Sequence, residues 1–151
     1  MKYALELPIH RPLEEVWKAF DDRQNMSKWQ PTLVEVETIR GIQGQPGAVS
    51  RLTFEENGRK FSLMETITRR DEPNRLDTRY ENEFAANTVS NRFSEQGPAQ
   101  TLWIAETEYK FKTILMRVLG PLVKKNFVAR TQREMERFKA MAESQQGNEA
   151  I

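Results

Sequence analysis

The strongest constraint in this 151-residue sequence is one apolar stripe towards its C-terminal end. Val123, Phe127, Thr131, Met135, Phe138 and Ala142 recur at steps of three and four, which sets them along one side of a helix with 3.6 residues per turn. Lys125, Arg133 and Arg137 fall on the opposite side. The spacing predicts one long amphipathic helix over 113–144, and a helix with a single apolar face needs a second layer to cover it. Nearly everything before it reads as strand. The predicted class is therefore α+β, a curved antiparallel sheet laid against one long helix.

Tyr3, Leu5, Leu7 and Ile9 alternate with Lys2, Glu6 and Pro8, the two-residue period of a half-buried strand. Pro12 then opens a short helix, with Glu14 and Glu15 in its first turn and Leu13, Val16, Trp17 and Phe20 at helical spacing. Residues 25–29 leave room for one further turn before Pro31, because a residue preceding proline is pushed out of the helical region. Strands are then expected at 33–38, 48–55, 60–68, 76–84, 88–93 and 101–111, seven in all with the first. Asn57-Gly58 is the sharpest hairpin signal, since a type I′ turn needs positive φ at both central residues. Within the helical segment, Gly120-Pro121 predicts a kink or break, because proline lacks the backbone donor and clashes with the preceding turn. The length suits a single domain over 1–144 with a fraying tail over 145–151.

With no cysteine, disulfides, thiolate zinc sites and a cysteine nucleophile are excluded, and a reducing cytoplasm is the expected compartment. No apolar run approaches the roughly 20 residues of a membrane span, and the N-terminal stretch lacks the apolar core of a signal peptide. No stable membrane insertion is expected. The net charge of +1 hides an asymmetry: 112–143 carries eight Lys/Arg against three Glu, and 1–111 fifteen Lys/Arg against eighteen Asp/Glu. A solvated basic helix face accounts for this, and an anionic partner or membrane surface is the other reading. No module of a nucleic-acid binder is present, so no nucleic-acid partner is expected.

His10-Arg11-Pro12-Leu13-Glu14-Glu15-Val16-Trp17, followed by Trp29-Gln30-Pro31, resembles the opening of the START-related SRPBCC superfamily of polyketide cyclase-like and lipid-transfer proteins. The segment Phe111 to Phe138, with its Leu119-Gly120-Pro121-Leu122 step, looks like that family's C-terminal helix. The resemblance implies a helix-grip fold: seven curved antiparallel strands wrapped around the long C-terminal helix, two short helices between strands one and two, and a mostly apolar cavity inside. Members bind or carry hydrophobic molecules, some act on aromatic polyketides, and one branch activates a chaperone ATPase. The metal-dependent hydroxylase subunits of the superfamily need Cys/His ligands, which a chain with no Cys and one His cannot supply.

Strand alternation predicts what faces the helix. In 76–84 the charged set Asp77, Arg79, Glu81 and Glu83 belongs outside, which turns Leu76, Thr78, Tyr80, Asn82 and Phe84 inward. Trp103, Ala105, Thr107, Tyr109 and Phe111 follow in the last strand, with Leu52, Phe54, Val89, Asn91 and Phe93 from others. Trp29, Leu63 and, on the helix, Phe127, Thr131 and Met135 complete the predicted ligand wall. Its polar members would cost free energy if left unpaired, and a partly polar cavity accounts for them as well as strand-end solvation does.

Glu65 is the sharpest case. If Phe61, Leu63 and Ile67 face inward, so does Glu65, where a carboxylate in an apolar cavity would orient a ligand or act as a general acid or base. The competing register puts Met64 inside, or a bulge resets the parity. Tyr80 and Tyr109 are the other acid/base candidates. His10 lacks a Ser or Asp in nucleophile arrangement, Gly41, Gly44 and Gly47 form no phosphate loop, and no cluster implies a metal or cofactor. The expected function is binding or carriage of a hydrophobic lipid-like or polyketide-like small molecule. A cofactor-free cyclase or dehydratase using cavity Glu/Tyr residues is the alternative, and a protein-interaction module on the basic helix face the third. Gly120-Pro121 and the glycine loop 41–47 are the expected gates.

Overall fold

A computed structural model of the chain describes residues 1–149. The strands are β1 (Lys2–Ile9), β2 (Leu33–Arg40), β3 (Val49–Glu56), β4 (Arg59–Asp71), β5 (Arg75–Glu81), β6 (Ala85–Gly97) and β7 (Gln100–Phe111). They form one antiparallel sheet in the order β1-β7-β6-β5-β4-β3-β2. Successive hairpins build β2 to β7 in sequence order, and β1 returns to pair with β7 from Lys2↔Glu108 to Ile9↔Thr101. The β3–β4 hairpin turns at Asn57 and Gly58, both with positive φ, as a type I′ turn requires.

Helices α1 (Leu13–Asp21) and α2 (Met26–Trp29), joined by a 3₁₀ turn over Arg23–Asn25, lie between β1 and β2. Asp22 caps the 3₁₀ turn by accepting from the Gln24 backbone N–H at 2.9 Å, and the Asn25 side chain donates to the Ala19 carbonyl at 3.0 Å. The turn is thus tied back onto the end of α1 by its own polar residues.

The C-terminal helical segment divides into α3 (Ile114–Leu119), a 3₁₀ turn over Gly120–Val123, and α4 (Lys124–Glu149). Thr113 caps α3 by accepting from the Met116 N–H at 3.1 Å. Gly120 owes its identity to a close approach: a Cβ there would lie 2.2 Å from the Phe111 ring. The expected break is present, and α4 continues to Glu149, beyond the Ser144 at which the periodic pattern stops. Of the tail expected over 145–151, residues 150 and 151 lie outside the described residues.

Met135, Phe138 and Ala142 of α4 are buried in the main core with Ile9, Val16, Trp17, Trp29, Phe93 and Trp103. The aromatic members meet mainly edge to face, with ring centroids 5.1 Å apart for Trp103–Phe138, 5.6 Å for Trp29–Phe138 and 5.0 Å for Phe20–Phe93. Leu33, Leu52, Phe54 and Met26 form a second, smaller cluster nearer the β2–β3 side.

Candidate functional site

Between the concave face of the sheet and α4 lies a cavity of about 910 Å³. The strands supply its broad wall by alternation: Phe54 of β3, Leu63 and Glu65 of β4, Thr78 and Tyr80 of β5, Asn91 of β6, and Trp103, Thr107 and Tyr109 of β7 all line it. Trp29 comes from α2, and Phe127, Thr131 and Met135 come from α4. Phe93 is the one residue of the predicted wall that is not on it. It is 2% exposed and closed off by Trp17, Phe20 and Trp103, because sheet and helix have already met at its level.

The register of β4 decides Glu65. It pairs with Ser50 on β3 and Tyr80 on β5, and it is 3% exposed with Leu63 and Ile67 on the same face, so Met64 points away. Glu65 is not alone there, however. Arg23, from the 3₁₀ turn between α1 and α2, donates from Nη2 to Glu65 Oε1 at 2.5 Å, and its Nη1 lies 3.2 Å from the Met26 sulfur. A charge pair therefore sits in the wall, with the guanidinium nearer solvent. Tyr80 lies opposite Glu65 in the β4–β5 ladder, and burial together with the nearby Glu65 charge pushes its phenol well above the usual tyrosine range.

A second polar group forms across the cavity. Thr131 Oγ1 is 3.0 Å from the Phe127 carbonyl, to which it donates, so Tyr3 donates to Thr131 at 2.9 Å. The Tyr109 ring stacks on Phe127 at 5.1 Å and on Phe111 at 6.1 Å, and burial raises its phenol as well, reinforced by Tyr3. Beside them Glu134 projects from α4 into the cavity lining. Burial raises its carboxyl, and Arg130 opposes that rise while also reaching Glu56 at 2.6 Å. Asn91 is already committed, accepting from Trp103 Nε1 at 3.0 Å, and Asn82 closes the turn into β6 by accepting from the Phe84 and Ala85 N–H groups. Trp29 Nε1 is a buried donor without a partner among the described residues.

Arg70, Arg23 and Glu134 are among the cavity residues that escape alternation and spacing. Arg70 lines the cavity because β4 slips register between Ile67 and Arg69, so Thr68 is the extra residue and Arg70 comes opposite Leu76 on the inner side. It pairs with both oxygens of Asp21 at 2.7 and 2.8 Å, donates to the Gly44 carbonyl at 3.2 Å, and stands 5.2 Å from the Trp17 ring. That tie fixes the loop 41–47 at the cavity's edge. Arg23 reaches the site from a turn with no periodic signal. Glu134 lies one position from the apolar stripe, and Phe127, Glu134 and Phe138 at spacings of seven and four were the only hint.

Among the described residues, no group of His, Asp or Glu is placed to hold a metal ion. His10 is at the surface, its backbone N–H donating to Glu143 at 3.0 Å. Trp17 is a packing residue whose Nε1 donates to Glu72 at 2.9 Å.

This geometry, a grip of seven strands on a long helix around an apolar cavity, is matched at the level of sequence. The profile of the family described as polyketide cyclase/dehydrase and lipid transport covers residues 2–143. The chain belongs to that family. As a member of the SRPBCC superfamily it shares its fold with many solved structures at low sequence identity. A START superfamily protein from Mycobacterium smegmatis is 17% identical, with a TM-score of 0.77 over 95% of this chain and 97% of that one. Ara h 8.0201 is 18% identical, with a TM-score of 0.77 over 95% and 98%. Norcoclaurine synthase from Thalictrum flavum, in complex with dopamine and hydroxybenzaldehyde, is 13% identical, with a TM-score of 0.69 over 93% and 85%. These likenesses establish the fold. No curated protein matches the sequence.

Proposed function

We propose that this family member binds and carries a hydrophobic small molecule, lipid-like or polyketide-like, inside the cavity. The observation that carries the reading is the cavity itself: about 910 Å³ of space, within the size range of small-molecule sites, walled by aromatic and aliphatic side chains with a few fixed polar groups. Burying an apolar ligand there is favourable by roughly 25 cal/mol per Å² removed from water. The Arg23–Glu65 pair and the Tyr3–Thr131 pair supply hydrogen-bonding points that fix the ligand's polar end. Since Trp29 and Trp103 both line the cavity, intrinsic fluorescence reports occupancy. Titration with fatty acids, sterols and small phenolic or polyketide-like aromatics tests the reading; the phenolics are included because a fold relative holds dopamine and hydroxybenzaldehyde. Saturable quenching or enhancement by one class is expected, and a flat response across the panel overturns it.

One observation favours a second reading, cyclase or dehydratase chemistry without a cofactor. Glu65 and Tyr80 are cross-strand neighbours on a single cavity wall. There the carboxylate serves as the base, while Tyr80, held as the phenol by its surroundings, donates a hydrogen bond to a carbonyl oxygen. Tyr109, also kept as a phenol, is the further donor candidate. Under this reading Glu65→Gln and Tyr80→Phe each abolish turnover of a poly-β-keto substrate while leaving its binding within a few-fold. Equal turnover by wild type and Glu65→Gln eliminates it.

A further inference from the structure

The cavity accounts for the inner face of the C-terminal segment and leaves the outer face of α3 without a role. Ile114, Leu115, Val118, Leu119 and Leu122 are between 41 and 79% exposed. At 100° per residue the four of them within α3 span an arc of about 140°, while Met116 points the other way and lines the cavity. A short helix in a folded domain ordinarily turns its apolar arc inward. This one turns it to solvent, at the mouth of the cavity, where Phe84 is also exposed and accepts the Lys112 backbone N–H at its carbonyl. A cluster of large exposed apolar side chains on one short element marks a surface that is covered by something else.

Charge decides what covers it. From Lys110 to Arg133 the chain carries seven cations, Lys110, Lys112, Arg117, Lys124, Lys125, Arg130 and Arg133, and no Asp or Glu. The nearby carboxylates Glu81 and Glu56 are taken up by Lys112 and Arg130. Among the described residues, Lys110, Arg117, Lys124 and Lys125 have no carboxylate partner and stand exposed directly before, within and after the apolar arc. Two copies of this face meeting about a twofold axis would set these cations against one another, which disfavours self-association. An anionic bilayer satisfies both components, taking the apolar side chains at its interface and the cations at its headgroups.

We infer that the α3 face, with Ile114, Leu115, Val118, Leu119 and Leu122 between Lys110 and Lys125, docks this protein onto anionic membrane surfaces. The attachment is peripheral, since no helix among the described residues is long and apolar enough to cross a membrane. It places the cavity mouth against the lipid. The inference goes beyond cavity binding and does not depend on it, because the docking face is on the outside of the same segment.

Flotation of the full chain with phosphatidylcholine vesicles, alone or mixed with phosphatidylglycerol, tests it. Co-flotation with the mixed vesicles only, weakening as salt is raised, is expected. Lys124→Glu combined with Lys125→Glu should reduce binding by about 25-fold or more, each lost cation near a charged bilayer being worth about fivefold. Leu115→Glu combined with Val118→Glu should abolish it. These sites are exposed, and the near-UV dichroism of the buried Trp17, Trp29 and Trp103 checks that each variant is folded. In a Leu115→Trp variant the emission should shift to the blue on adding mixed vesicles. Failure to float, equal binding to neutral vesicles, an unshifted emission, or a wild-type dimer that Leu115→Glu turns into a monomer each overturns the proposal, the last by assigning the face to a second copy. Ligand titration of the same samples reads the cavity separately.

Discussion

The two ends of the space between sheet and helix are built from the same kinds of residue and behave oppositely. Around Phe138 and Ala142, α4 lies directly on the aromatic cluster of Trp17, Trp29, Phe93 and Trp103, and neither of these two helix residues borders the cavity. Around Phe127 and Thr131 the same stripe stands away from the sheet and borders the cavity. The closed end carries bulky rings meeting mostly edge to face, with Phe93 on Trp103 an exception, whereas the open end carries rings stacked flat along the wall, as Tyr109 does on Phe127 and Phe54 on Phe61. One helix thus anchors the domain with its C-terminal half and leaves room with its N-terminal half. Stability and ligand space are separated along a single axis.

The comparison can be broken by mutation. Phe138→Ala removes a fully buried ring from the closed end and should cost about 3–5 kcal/mol in urea unfolding; a loss below about 1 kcal/mol would mean that the two ends share the load. Glu65→Gln removes the charge from the Arg23 pair and should cost about 2 kcal/mol, the worth of a hydrogen bond to a charged group. Because the pair lies at the cavity, that variant should also alter ligand affinity, which Phe138→Ala, if it remains folded, should do much less. Phe127→Ala sharpens the contrast: a cavity-wall ring stacked on one tyrosine should contribute only about 1 kcal/mol to stability, while its loss weakens ligand binding.

The smallest effect carries a sign. Burial places the folded-state pKa of Glu134 above its unfolded value, so the ionised carboxylate detracts from stability at neutral pH and the cost fades as protonation sets in on acidification. Glu134→Gln should therefore raise Tm slightly near neutral pH, and the gain should shrink as pH is lowered towards about 4. A gain that persists unchanged at the acidic end would show that its origin is not the charge.

Much of this was legible because charged residues mark the outside of a strand. Asp77, Arg79 and Glu81 leave β5 only one possible orientation, and the inward positions of Thr78 and Tyr80 follow. In β4 the pattern is weaker, since Met64 and Glu65 break the alternation of size and polarity together. There hydrogen-bond register, which is a property of three strands at once, settles what one strand cannot. Arg23 could not be read at all, because its partner is 42 residues away and the turn that carries it has no period. Phe93 faces the helix side of the sheet but lies where sheet and helix already meet: alternation gives the side of a sheet and says nothing of how far the helix stands from it. The outward face of α3 was hidden for a different reason: the spacing reads 113–144 as one helix, and the apolar stripe that orients it begins only at Val123, beyond α3.

The extra residue at Thr68 divides β4 into two stretches with opposite alternation. Upstream of it, odd-numbered positions such as Leu63, Glu65 and Ile67 face the ligand space; downstream, the even-numbered Arg70 does. Removing that one residue would turn Arg70 to solvent, release Asp21 and Gly44, and unfasten the loop 41–47 while leaving the wall around Glu65 as it is. A one-residue insertion or deletion is therefore a unit of change in this fold. Through it a lineage can recast the polarity of one rim in a single step, independently of the pocket floor, without altering any of the side chains that line the rest.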